Sequence, residues 1–275
     1  MTPLHAILLL CITLNLSVSQ VQACSVLYYV DSTSGNVFVV NNEDYWYDVK
    51  AYIKIEPKTN TEYARLWYGW DNFAQGGVNE FGLFFDGAVT PNQSAIHGYG
   101  SPDGNLGDKI LANCQNVEEA LDYIEEKKIA LTNSHMMFGD SSGQAVVVEW
   151  VKGSKVIRQI NRNRLIMTNY LLADTSAGNY PCYRYESINK NIDELESKEQ
   201  EIGLLQIGNT FNRAAQIPRA DENGRIGGTL YTTFINLSDM QFILSYKLSN
   251  TNVVKLNLID AFTKNKKQKI VLKEH

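Results

Sequence analysis

Cys24 follows Ala23 at the end of a hydrophobic leader, within Val21-Gln22-Ala23-Cys24-Ser25. If the leader is cut after Ala23, the chain starts with a residue carrying both a thiol and a free α-amine. The thiolate is the reactive form of cysteine. An α-amine titrates near pH ~8, so near neutrality an unprotonated fraction can take the thiol proton directly or through water. Nucleophile and base then sit on one residue. A small residue before Cys also fits a lipoprotein signal, in which Cys24 is acylated and catalytically dead. Val-x-Ala is a good ordinary cleavage site, whereas Val21 and Gln22 fit the lipoprotein signal poorly.

The leader, Leu4 to about Val18, has no charged side chain and an apolar heart from Ala6 to Leu14. It is short for a bilayer span and ends in small and polar residues, as a removed signal peptide does. The expectation is a cleaved segment 1–23 and one domain over 24–275, exported to a periplasmic or extracellular space. With 25 basic and 30 acidic residues and a formal charge of −5, nothing in the composition favours nucleic acid or an anionic membrane as partner. The basic run Lys264 to Lys269 reads as a solvated turn. Cys114 and Cys182 are either a disulfide or two buried thiols. No Cys or His spacing points to a metal, and no cofactor is implied.

A nucleophile needs elements to hold it. Ser25–Asp31 and Val37–Val40, joined by Thr33-Ser34-Gly35-Asn36, read as a hairpin that brings Asn41-Asn42-Glu43-Asp44 back beside Cys24. Strands follow at 51–56 and 63–70. Phe73 to Leu83 reads as a glycine-bearing turn, ahead of a strand at 83–89. Pro91–Gly107 reads as a loop near the pocket. A helix starts at Asn116. Strands at 134–139, 145–150, 156–161 and 165–170 come next, then helical patterns at 183–195 and 201–213. The chain closes with strands at 230–237, 241–246, 253–258 and 270–272. Strands, helices and strands without regular βαβ alternation predict an α+β fold of antiparallel sheets with helices on one face each.

Several motifs in order carry a resemblance: the Cys24 start, Asn42-Glu43-Asp44, Gly77-Val78-Asn79-Glu80-Phe81-Gly82-Leu83, the segment Phe138 to Glu149, Met167-Thr168-Asn169 and Tyr183-Arg184-Tyr185. Together they resemble the choloylglycine hydrolase family of N-terminal-nucleophile (Ntn) hydrolases, which includes bile salt hydrolases and penicillin V acylases. The resemblance implies a four-layer αββα sandwich with two antiparallel sheets, and hydrolysis of a linear, non-peptide amide of a small N-acyl substrate. It implies Cys24 as nucleophile, Asp44 near its α-amine, Asn79 as donor to the oxyanion, Asn169 orienting amine and substrate, and Arg184 lowering the thiol pKa. Read alone, Asn79 is a turn residue, Asp44 and Asn169 are caps, and Arg184 is a helix-surface cation.

Two departures narrow the expectation. Asn41 stands where many bile salt hydrolases carry Arg, which removes a contact to an anionic substrate. The interval from Asn169 to Arg184 is shorter than in tetrameric members. An acyltransferase on the same fold is the nearest alternative. A secreted or lipid-anchored binding protein, with Tyr45, Trp46, Tyr47, Trp67, Tyr68 and Trp70 around a cleft, is the alternative of a different class. A Cys–His enzyme is disfavoured, since His135 reads as a core or edge residue and His97 lies in a glycine-rich loop.

Overall fold

The computed structural model describes residues 24–176, 178, 180–198 and 201–274. The leader, its cleavage point and any lipidation signal lie outside the described residues, apart from Cys24 itself. No helix among the described residues is long and apolar enough to cross a membrane.

The first hairpin forms as its letters require. Strands β1 (Ser25–Val30) and β2 (Val37–Trp46) pair from Ser25 opposite Asn42 to Val30 opposite Val37. Asp31 Oδ2 closes the turn by accepting from the Ser34 backbone N–H at 2.8 Å and hydroxyl at 2.6 Å, and Gly35 takes φ +75°. The chain continues through β3 (Tyr52–Glu56), β4 (Arg65–Trp70), β5 (Phe73–Asn79), β6 (Phe84–Val89), α1 (Leu106–Asn113) and α2 (Val117–Glu126). Next are β7 (Ser134–Gly139), β8 (Ala145–Val151), β9 (Ser154–Gln159), β10 (Arg164–Met167), α3 (Tyr183–Glu196) and α4 (Leu204–Phe211). Strands β11 (Arg219–Ala220), β12 (Ile226–Asn236), β13 (Gln241–Tyr246) and β14 (Val253–Asn257), then α5 (Leu258–Thr263) and β15 (Gln268–Val271), complete it.

Two antiparallel sheets result. One runs β10-β1-β2-β12-β13-β14, with β11 on β12, and the other runs β15-β3-β4-β5-β6-β7-β8-β9. Because side chains alternate along a strand, both faces of β1 and β2 can be apolar and still be covered. Val26, Tyr28, Val37 and Val39 point between the sheets, where they meet Ile53, Leu66, Val78 and Val147. Leu27, Tyr29, Phe38 and Val40 point outward onto Ile188, Ile192, Ile207 and Phe211 of α3 and α4. On the far side, Trp67, Phe85 and Phe138 meet Ile110, Leu111 and Ile124 of α1 and α2. The layers are helix, sheet, sheet, helix, the predicted αββα sandwich.

Three local readings are corrected. Phe73 to Asn79 is a strand, not a turn, because Gly76 and Gly77 serve close approach. A Cβ on Gly76 would lie 2.3 Å from Asp86 Oδ2 and 2.4 Å from the Tyr68 hydroxyl oxygen. Helix α1 begins inside the expected loop; Asn105 makes no side-chain cap bond, so its start carries no capping signal, and packing of Leu106, Ile110 and Leu111 holds it. The last strand pairs with β3 in the opposite sheet, after the unpredicted α5, whose Asn257 side chain accepts from the Asp260 N–H at 2.9 Å. Helix α2 starts as predicted, with the Asn116 side chain accepting from Glu119 N–H at 3.0 Å.

Candidate active site

Extending the β1–β2 register one residue beyond Ser25 and Asn42 places Cys24 across from Glu43. Both side chains lie in the layer between the sheets, since Val26 and Tyr28 on one strand and Val37 and Val39 on the other share that face. Cys24 Sγ donates to Glu43 Oε1 at 3.0 Å, and both residues are buried. Sequence reasoning quoted Glu43 only as a letter in a motif. Counting the hairpin register would have found it.

Behind this pair the interior stays polar. Asn41 Nδ2 donates to Asp86 Oδ2 at 2.8 Å, and the Tyr68 hydroxyl donates to the same oxygen at 3.0 Å. Asn41, the departure from the bile salt hydrolase pattern, is therefore a partner of a buried acid. Burial pushes the Glu43 carboxyl up to about 7, against the pull of hydrogen bonds with Cys24 and Asn41. Burial and then the Glu43 charge hold Asp86 well above the usual carboxylate range. The Cys24 thiol is raised well above its ordinary value, by burial first, then by the charge and hydrogen bond of Glu43.

Arg184, in the first turn of α3, ties four chain segments together. Nη1 donates to the Cys24 carbonyl at 2.8 Å and Ser25 Oγ at 3.0 Å, and lies 3.4 Å from Asp44 Oδ2. Nη2 donates to Asn169 Oδ1 at 3.0 Å. Asn169 Nδ2 in turn donates to the Val89 carbonyl at 2.9 Å, and the Thr229 hydroxyl donates to Asp44 Oδ1 at 2.6 Å. Burial raises the Asp44 carboxyl to about 8, with Arg184 and Thr229 acting in the opposite direction. The structure thus brings Cys24, Asp44, Asn169 and Arg184 together. The guanidinium faces the Cys24 carbonyl, and what acts on the thiol, burial and the neighbouring carboxylates, raises it.

Asn79 is not brought to this cluster. Its Nδ2 donates to the carbonyls of Leu111 and Cys114 at 3.0 and 2.7 Å, and its Oδ1 accepts from the N–H groups of Phe81 and Leu83, both at 3.1 Å. The amide is committed to closing the β5–β6 turn and seating α1, so the turn reading replaces the oxyanion role. Cys114 and Cys182 are separate, buried, free thiols.

His135 on β7 is a core residue, as its letters predict. Nε2 donates to the Thr168 carbonyl at 2.7 Å, and Nδ1 lies 2.8 Å from Glu149 Oε1. Glu149 also accepts from the N–H groups of Leu172 and Ala173 at 2.7 and 2.8 Å. The pair clamps the chain on both sides of Asn169. Removing one member of a buried pair strands the other, so His135→Leu is expected to lower the unfolding free energy by about 3–5 kcal/mol in urea denaturation.

The thiol sits in a cleft of about 280 Å³, at the small end for ligand sites. Its wall is mainly apolar, with Trp70, Phe73, Phe85, Val89, Leu106 and Met136. Pro102 and Gly107 come from the segment expected near the pocket. Tyr45 and Trp70 stack there at 4.4 Å between ring centroids, whereas Trp67 and Tyr68 are core aromatics, Trp67 beneath the α1–α2 layer and Tyr68 between the sheets.

Among solved structures, penicillin V acylase from Agrobacterium tumefaciens superposes with a TM-score of 0.70 at 18% identity, covering 90% of each chain. A variant of conjugated bile acid hydrolase from Clostridium perfringens gives 0.71 at 17%, covering 91% of this chain and 97% of the other. The N-acylethanolamine-hydrolyzing acid amidase ortholog of Caenorhabditis elegans gives 0.59 at 13%, covering 91% and 100%. No curated protein sequence matches. The sequence profile described as acyl-coenzyme A:6-aminopenicillanic acid acyl-transferase matches residues 31–247, most of the chain. With that match and the αββα architecture, the chain belongs to this acyl-transferase family, within the choloylglycine hydrolase group of Ntn hydrolases.

Proposed function

We propose that the protein cleaves the carbon–nitrogen bond of a linear N-acyl amide by acyl transfer to Cys24, after export and removal of residues 1–23. The observation that carries this reading is the buried Cys24 thiol on the wall of an apolar cleft, with its backbone pinned by Arg184. Sulfur attacks the amide carbonyl, the amine leaves, and water hydrolyses the thioester. Asn169 donates to the carbonyl of Val89 on the cleft wall and accepts from Arg184, and is the proposed residue that orients the freed α-amine and the substrate. Asp44, through Arg184, holds the Cys24 backbone where a freed α-amine would lie.

The acyl group is uncharged. No Lys or Arg lines the cleft among the described residues, and its ionisable walls are Glu43, Asp44, Tyr45, His135 and Cys24 itself. Proteins of the same fold named penicillin V acylase, conjugated bile acid hydrolase and N-acylethanolamine-hydrolyzing acid amidase support amide cleavage. The lipid-anchored reading fits poorly, because the Cys24 thiol is enclosed between the sheets and hydrogen-bonded to Glu43.

The family description favours a second reading, in which an amine in place of water takes the acyl group. One assay addresses both. The mature protein is incubated with amides of phenylacetic, octanoic and dodecanoic acids, with and without a second amine. Amine release with free acid as the main product supports hydrolysis. A new amide as the main product transfers the assignment to acyl transfer, and no release from any substrate rejects both.

A further inference from the structure

The cleft spans two layers of the molecule. Cys24, Trp70 and Ala88 on its wall belong to the cluster between the sheets, whereas Phe85, Leu106 and Met136 belong to the cluster on the opposite face, beneath α1 and α2. A cavity lined from both faces of one sheet crosses that sheet. The crossing lies at the fork between β5 and β6. Their pairing stops at Gly76 opposite Asp86, although β5 stays paired with β4 as far as Phe73 and β6 with β7 as far as Val89. A register shift against Tyr68 and Gly69 leaves Gln75 as an extra residue on β5, and such a bulge bends its strand. The residues beyond the last pair, Phe73, Ala74 and Gln75 on one side and Gly87, Ala88 and Val89 on the other, all line the cleft.

Gly87 is unlike the glycines around it. Gly76 and Gly77 lack a side chain because their neighbours leave no room, and a Cβ on Gly107 would run into the Phe85 ring. Nothing of that kind acts at Gly87. Its φ lies outside the left-handed region, and a Cβ there would make only ordinary contacts, 3.8 Å from the His135 carbonyl oxygen and 4.0 Å from that of Gln75. Glycine weakens a strand interior, so one that neither packing nor backbone demands marks a site of close approach by something else. Alternation along β6 turns Gly87 to the face of Phe85, while Asp86 and Ala88 turn between the sheets.

We propose that the acyl chain of the substrate threads this fork, with Gly87 as a specificity-determining residue, and that the preferred acyl group is unbranched and long enough to reach the chamber beneath α1. The inference rests on the proposed amide reaction for placing the carbonyl at Cys24. Crossing one sheet layer takes about 10 Å, on the order of eight chain carbons. Beyond Gly87 the chain meets Phe85, Leu106, Leu131 and Met136, an apolar lining suited to methylene groups. The edges of the fork are backbone and the small side chains of Ala74 and Ala88, so a branch beside the carbonyl meets the strands. The leaving amine stays on the side of the thiol, where Glu43 and Asp44 supply polar wall.

The test measures kcat/KM for para-nitroanilides of butanoic acid, octanoic acid and a branched eight-carbon acid. Wild type prefers octanoyl to butanoyl and to the branched isomer by at least ~10-fold. Gly87→Leu, whose side chain projects into the chamber, cuts the octanoyl-to-butanoyl ratio at least ~10-fold, and Gly87→Ala falls between. The alanine variant carries the test if the leucine variant does not fold. An unchanged ratio, or a branched acyl group cleaved as well as octanoyl, overturns the proposal. So does a Gly87→Leu effect that follows the length of the amine in place of the acyl group. If the wild type cleaves none of these amides, N-butyl and N-octyl iodoacetamide replace them, with alkylation of Cys24 read by intact mass. Faster alkylation by the octyl reagent that Gly87→Leu abolishes then supports the passage and rejects the amide reading alone. Rates indifferent to tail length or to the variant reject the passage.

Discussion

Cys24→Ala is expected to remove turnover by ~10⁴-fold or more on every amide the wild type cleaves, measured as amine release under saturating substrate. Among the described residues no other thiol lines the cleft to replace the sulfur. Cys114 and Cys182 are free but buried, and neither lines the cleft. Deleting one small buried side chain that touches Glu43 leaves the sheets intact, so the melting temperature should change by only a few degrees and the variant should still bind substrate. Cys24→Ser is expected to be nearly as inactive, because an alcohol is far harder to deprotonate than a thiol. Undiminished turnover by either variant would show that the sulfur does not form the acyl-enzyme.

Arg184→Met carries the second large effect, on stability and activity together. The guanidinium satisfies the Cys24 carbonyl, Ser25 Oγ and Asn169 Oδ1 and opposes the burial of Asp44. Its removal leaves those acceptors unpaired in the interior and drives the Asp44 carboxyl further up. The cost should be about 3–5 kcal/mol in urea denaturation. Hydrolysis should fall at least ~100-fold in protein still folded, because Cys24 and Asn169 lose their common anchor. Arg184→Lys should not rescue it, since a single ammonium cannot present the planar fork that spans these partners. A variant of normal stability and activity would show that the cluster is packing alone.

The parts of this site legible in the sequence are those set by local rules. Turn chemistry at Asp31 to Asn36 places the hairpin, and period-two alternation on β1 and β2 gives both buried faces. Asp44, Asn169 and Arg184 are different. Each is an ordinary cap or surface residue when read locally, and only the ordered family motifs pointed to a shared location. Asn79 shows the limit of that route. It lies in a family motif, yet its Oδ1 closes the turn onto Phe81 and Leu83 and its Nδ2 holds the end of α1 at Leu111 and Cys114, which together consume every hydrogen bond its amide can form.

Other misses follow from long-range packing. Gly76 and Gly77 look like a turn because glycine permits one, but a Cβ is excluded at Gly76 by Asp86 and Tyr68 and at Gly77 by the Leu66 carbonyl and the Leu111 and Trp67 side chains. Helix α1 hides in a segment rich in Pro, Gly and Asn, and is held by the sheet it covers. Glu43 is within reach of the sequence, because hairpin pairing sets it opposite Cys24. Its burial depends on the second sheet closing over it.

The most direct test of the central claim is the intact mass of protein exported by its native host, before and during turnover of a cleaved amide stopped rapidly in acid. The account predicts a chain beginning at unmodified Cys24, with one added acyl group on that residue during turnover and its loss on treatment with hydroxylamine. A chain that starts elsewhere, a diacylglycerol-sized increment on Cys24, or turnover with no acyl group on Cys24 would contradict it.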